Sequence, residues 1–239
     1  MNRRRFLQAA GAAAAVLALG SRGQTLGNIA HFQRLLQVPE AYAFSQSQAL
    51  KKFIQPLRGI FPLDPNGIPV AVPDGTLGVG GALHYEIDIK QYTDTLHPDL
   101  GGPTTLRGYK PRNTLGRPVS QRHLGGIIVA TKGTPVQITF TNKLSGPYPI
   151  PIDLTLPGAD LGPNRAATHL HGGFVPWISD GGPQSWFDPD GGYGASVPMS
   201  FYKILNPSIQ PGQAEYYYPN DQSARLVYGT TTTRGASHA

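Results

Sequence analysis

The chain contains no cysteine. That excludes disulfides, thiolate metal sites and cysteine nucleophiles. Among copper centres it excludes the mononuclear blue type, whose site needs a Cys thiolate. Charge is scarce as well, with Asp, Glu, Lys and Arg making up 14% of the 239 residues. The formal net charge is +6, but four of the 20 basic side chains (Arg3, Arg4, Arg5 and Arg22) lie in the first 23 residues. What remains is 16 basic against 14 acidic groups. A balance so close to neutral, with no basic stripe interleaved with aromatics, gives no footing for nucleic-acid binding.

A membrane-spanning run is also missing. The Ala-rich stretch Ala9 to Leu19 is 11 residues long, short of the roughly 20 that a spanning helix needs. Preceded by Arg3, Arg4 and Arg5, it reads as a signal peptide over residues 1–23. The stretch Asn2-Arg3-Arg4-Arg5-Phe6-Leu7-Gln8 resembles a twin-arginine export signal. The expectation is an exported protein, periplasmic or extracellular, with no stable membrane span once the leader is cleaved.

Plentiful instead are turn formers, 30 Gly and 23 Pro, together with 11 Tyr. Spread as short punctuation, they argue many turns and short strands rather than long helices. Residues 24–78 read as an arm or strap. Phe53, Ile54, Leu57 and Ile60 could share one helical face that Pro56 interrupts, and a proline-rich extended segment follows. Strands begin at Leu83, where Leu83, Tyr85, Ile87 and Ile89 alternate with His84, Glu86, Asp88 and Lys90. A polar loop is expected from Thr95 to Arg122, then a strand at Ile127 to Val129 and a turn at Lys132-Gly133-Thr134. Val136, Ile138 and Phe140 alternate in the next strand, which Asn142 closes, and Ala214 to Tyr218 supply a late one. Several short strands between turn signals predict an all-β sandwich.

Chemistry concentrates in Ala167-Thr168-His169-Leu170-His171-Gly172-Gly173. In a strand, His169 and His171 face the same way, roughly 6.5–7 Å apart along the chain. With metal–nitrogen bonds of about 2 Å, the pair can converge on one ion or serve two adjacent ions. Imidazole suits copper, zinc, iron and nickel, so the pair by itself does not name the metal. The glycines allow close approach just beyond it. His31, His84, His97, His123 and His238 show no such pairing and read as surface or loop residues.

Three motifs occur in a fixed order: KGTPVQITFTNKL, then THLHGG, then PGQAEYYYPNDQSARLV. Together they resemble the first cupredoxin domain of bacterial multicopper oxidases, in the laccase and bilirubin-oxidase-like group that includes the spore-coat laccases. HYEIDIKQYTDTLHPDLGGPTTLRGY is similar to that group's opening strand and loop. The resemblance covers about 83–228 and implies a cupredoxin-like Greek-key β-sandwich over 79–228. It also implies copper as cofactor, with His169 a ligand of the type 2 ion and His171 of a type 3 ion. Asp180 is similar to the acidic residue that assists proton delivery in that group, and equally fits a plain turn residue in Ser179-Asp180-Gly181-Gly182. Trp177 and Trp186 are expected to pack rather than to act.

The family continues into W-Y-H-D-H-A, its second His-x-His. Here the chain reads Tyr228-Gly229-Thr230-Thr231-Thr232-Thr233 instead. A reading-frame slip near Tyr228 would explain this, because codons for W-Y-H-D-H read one base later encode a glycine followed by threonines; a natural polar tail is the alternative. Residues 229–239 are accordingly expected to be a frame-shifted tail that leaves the sandwich incomplete at its C-terminal end. The resemblance then implies the N-terminal fragment of an oxidase. Its intact relatives oxidise phenolic, bilirubin-like or metal-ion reductants and reduce dioxygen to water, through later cupredoxin domains that are expected to be missing here. By itself the fragment is expected to be inactive. The alternative is a small exported, non-catalytic copper-binding module. A cupin-type enzyme would place an acid shortly after His-x-His, and Gly172 to Ile178 contains none.

Overall fold

The computed structural model describes residues 50–116, 120–153 and 159–232. The leader, the arm up to residue 49 and the tail from 233 lie outside these. In chain order the elements are β1 (Leu83–Asp94), β2 (Thr104–Pro111), β3 (Val136–Asn142), β4 (Ala167–His171), helix α1 (Met199–Leu205), β5 (Gln213–Tyr218) and β6 (Tyr228–Thr232). The architecture is all-β, as the turn-rich composition and period-two patterns predict.

One sheet runs in the order β2-β1-β3-β5. β1 and β3 are parallel, with Leu83 opposite Val136 and Ile89 opposite Asn142. β2 and β5 flank them antiparallel. The second sheet is the pair β4 and β6. Tyr85, Ile87 and Ile89 from β1, Val136, Ile138 and Phe140 from β3, and Ala214, Tyr216 and Tyr218 from β5 form the core. Phe187, Val197, Tyr202 and Ile209 fill it from the connections. Stacking and edge contacts among Phe140, Tyr202, Tyr216 and Tyr218 run through its centre, with ring centroids 5.4–6.3 Å apart. Burial pushes the phenols of Tyr202, Tyr216 and Tyr218 up, so they stay neutral well into alkali.

Side-chain amides tie strand ends to loops. Asn142, the residue expected to close its strand, donates from Nδ2 to the carbonyls of Asn164 at 2.8 Å and Phe187 at 3.0 Å. Its Oδ1 accepts the Leu144 N–H at 3.0 Å. Ala166 and Phe187 exchange two backbone hydrogen bonds of 2.9 Å, which set the start of β4 against the core.

Several expectations are corrected. Phe53 and Leu57 are almost fully exposed and the segment is irregular, because Pro56 removes a donor and no partner face meets these side chains. The expected loop at 95–122 contains β2, an eight-residue strand paired along the outer half of β1. Its sequence, Thr-Thr-Leu-Arg-Gly-Tyr-Lys-Pro, lacks apolar alternation, so pairing rather than burial defines it. Ile127 makes only an isolated bridge to Val70, where the strap runs alongside. α1 was not expected, since seven residues behind Pro198 show too little periodicity. β1 is buried on both faces, because His84 and Asp88 are covered on the side expected to meet water. Asp88 accepts from Arg112 Nε and Lys143 Nζ, each at 2.8 Å.

Candidate metal centre

β4 is short and strongly patterned. Ala167 and Thr168 are buried, while His169 is partly exposed and His171 exposed. The strand alternation puts the two imidazoles on one face, with ring centroids 5.7 Å apart and planes at 81°. Gly172 follows at φ +81°, a left-handed conformation that turns the chain away immediately after the pair. β6 pairs antiparallel with β4, placing Thr230 opposite His169 and Tyr228 opposite His171. The Tyr228 ring stacks on His171 at 4.9 Å. From the core side, Tyr109 Oη donates to the Thr230 carbonyl at 2.6 Å and holds β6 in place.

His169 is held by the turn beyond the glycines. A single 3₁₀ turn, Trp177–Ser179, ends at Asp180. The Asp180 carbonyl lies 2.6 Å from His169 Nδ1. A carbonyl can only accept, so Nδ1 carries the hydrogen, and neutral His169 presents the lone pair of Nε2. A carboxylate oxygen of Asp180 lies 3.3 Å from the same nitrogen, and that side chain is 54% exposed. Asp180 is thus a turn residue and a neighbour of His169 at once: its backbone orients the imidazole and its carboxylate sits beside it in water.

An imidazole whose second nitrogen donates to a carbonyl is the usual arrangement of a metal-bound histidine. Two imidazoles suit copper among other ions. Among the described residues no group of three or more His, Cys, Asp or Glu side chains converges to hold a metal. The two imidazoles are of a donor type that fits copper.

The other sequence-marked residues sit elsewhere. His84 is not a surface residue: it is buried between Asp74 and Glu215. His97 caps a turn, accepting the Asp99 N–H at 3.1 Å, and His123 is exposed. Trp177 is exposed and meets the Phe201 ring edge-on at 5.8 Å. Trp186 lies under the Arg165 guanidinium at 4.9 Å. Ser179 and Tyr228 escaped the sequence reading. Ser179 meets its partner, Tyr217, across 38 residues, which no local pattern signals.

No family model matches the chain. A laccase from Haloferax volcanii is 32% identical over 203 residues, covering 80% of this chain and 28% of that protein. A laccase from Bacillus subtilis (strain 168) is 29% identical over 149 residues, covering 61% of this chain and 24% of the relative. The chain therefore spans about a quarter of the length of these curated relatives. Among solved structures, a laccase from Pediococcus acidilactici aligns over 76% of this chain and 27% of its own, with a TM-score of 0.42 and 18% identity.

Proposed function

We propose, from the premise that this chain is homologous to a part of the laccase-type multicopper oxidases, that His169 and His171 supply copper ligands of an oxygen-reducing centre. The observation that carries this reading is the orientation of His169. Its Nδ1 is committed to the Asp180 carbonyl, and Nε2 is left free on the face it shares with His171. His169 would contribute to a type 2 site and His171 to a neighbouring type 3 site, with the remaining ligands coming from outside the described residues. Bound copper supplies one-electron redox chemistry between a small-molecule reductant and dioxygen.

The residues of this chain orient and moderate that centre. Tyr228, stacked on His171, limits the rotation of that imidazole and shields one of its faces from water. Asp180 places a solvent-accessible carboxylate beside the His169 ring, where it can exchange protons with water without leaving the site. The basic, Ala-rich leader supports export through a twin-arginine route. Among the described residues no helix is long and apolar enough to cross a membrane.

A second reading, a copper-binding module without turnover, is favoured by the count of donors, since among the described residues only two imidazoles share the face. Copper(II) titration of the purified chain, followed by calorimetry and electron paramagnetic resonance, tests the site. A stoichiometric signal with nitrogen hyperfine structure is expected, and it should be lost in His169→Ala and His171→Ala. Binding that persists in both variants would refute the assignment.

A further inference from the structure

We propose that Ser179 is a positioning residue that fixes which nitrogen of His169 faces the metal. This rests on the copper reading above for its functional meaning, but its structural content is independent of metal. Ser179 is fully buried. Its Oγ accepts the backbone N–H of Tyr217 at 2.8 Å. β5 is the terminal strand of its sheet, so an outward N–H there has no ladder partner and would be orphaned without this hydroxyl.

The next residue supplies the carbonyl that receives His169 Nδ1–H. The residue after that is Gly181, at φ +72°, where an added Cβ would stand 1.7 Å from the Thr168 carbonyl oxygen. Asp180 is therefore bracketed. On one side the turn is pinned to β5 through Ser179, and on the other it runs against the backbone of β4, where only glycine fits. The bracket spans the two sheets, and the carbonyl it aims decides the tautomer of His169. An unrestrained imidazole is free to carry its proton on Nε2 instead, and that form has no lone pair on Nε2, the nitrogen that points away from Asp180.

The test uses the full, metal-free chain labelled with ¹⁵N, and reads the tautomer of His169 from long-range imidazole correlations at a pH where the ring is neutral. Wild type is expected to show the Nδ1–H form. Ser179→Ala should shift His169 toward the Nε2–H form, and copper(II) affinity measured by calorimetry should fall by about 10–100-fold. Gly181→Ala, which perturbs the other side of the bracket, should give the same tautomer shift. If Ser179→Ala lowers stability yet leaves the tautomer as in wild type, Ser179 is merely structural and the proposal is overturned. Should that variant not fold, Ser179→Cys, similar in volume but a weaker acceptor, carries the test with the same two outcomes. Failure of copper to bind wild type refutes the copper assignment alone, and the tautomer result still decides the role of Ser179.

Discussion

Glu215→Gln should remove most of the pH dependence of stability between pH 6 and 9. Glu215 is fully buried, and four side chains surround its carboxylate. Gln137 Nε2 donates to it at 2.8 Å, Thr139 Oγ1 at 2.6 Å and Asn206 Nδ2 at 3.1 Å, while His84 Nε2 lies at 3.3 Å. The other nitrogen of His84 lies 2.6 Å from Asp74, in the strap before β1. Glu215 foremost, and Asp74 with it, outweigh burial and hold the imidazole up at about 9, against its ordinary 6.5. A raised pKa means that the charged form is favoured by folding. The stabilisation is therefore complete below pH 6.5 and is lost as pH rises through 9. At 1.36 kcal/mol per pKa unit, the loss amounts to about 3 kcal/mol. With a urea slope of about 1–3 kcal/mol/M, the unfolding midpoint should drop by about 1–3 M between pH 6 and pH 9. In Glu215→Gln the principal partner of the charge is gone, so the variant should be weaker at pH 6 and show a much flatter profile. Equilibrium urea unfolding at several pH values, with a parallel NMR titration of His84, reads both effects. A wild-type midpoint that stays constant from pH 6 to pH 9 would refute the reasoning.

Two further perturbations follow from the same structure. Arg58 grips Asp94 with both guanidinium nitrogens, and the His123 N–H donates to the same carboxylate at 2.8 Å. Chiefly through Arg58, and against burial, Asp94 is held down at about 2. This contribution, about 2 kcal/mol, is present above pH 4 and lost as pH falls through 2. Asp94→Asn should accordingly unfold at a higher pH during acid titration followed by circular dichroism. Phe187 is fully buried and its backbone anchors Ala166, so Phe187→Ala should cost about 3–5 kcal/mol in urea unfolding. A loss under 1 kcal/mol would mean that the site collapses around the missing ring.

How far the sequence could be read depended on whether a feature was local. The strands at β1, β3 and β5 were legible because apolar residues alternate with period two over five or more positions. β4 was legible because two histidines flank one leucine. β2 was not, since its outer residues are Thr, Arg and Lys and it pairs with β1 between residues 10 to 24 apart. His84 looked like a solvent-facing strand residue by alternation. It is buried because the strap carrying Asp74 and the strand carrying Glu215 converge on it from opposite sides. Asp180 could be proposed as an acid near the site, but its carbonyl as the hydrogen-bond acceptor of His169 depended on the path of the turn.

The sequence by itself determined the class of fold and the strand that puts His169 and His171 on one face, because composition and nearest-neighbour alternation are one-dimensional properties. Tertiary structure alone decided which nitrogen of His169 faces outward, which aromatic ring covers His171, and which charged groups go into the interior. Those outcomes depend on contacts between residues distant along the chain. Ser179 with Tyr217, Tyr109 with Thr230, and Asp74 with Glu215 through His84 meet only once the chain has folded.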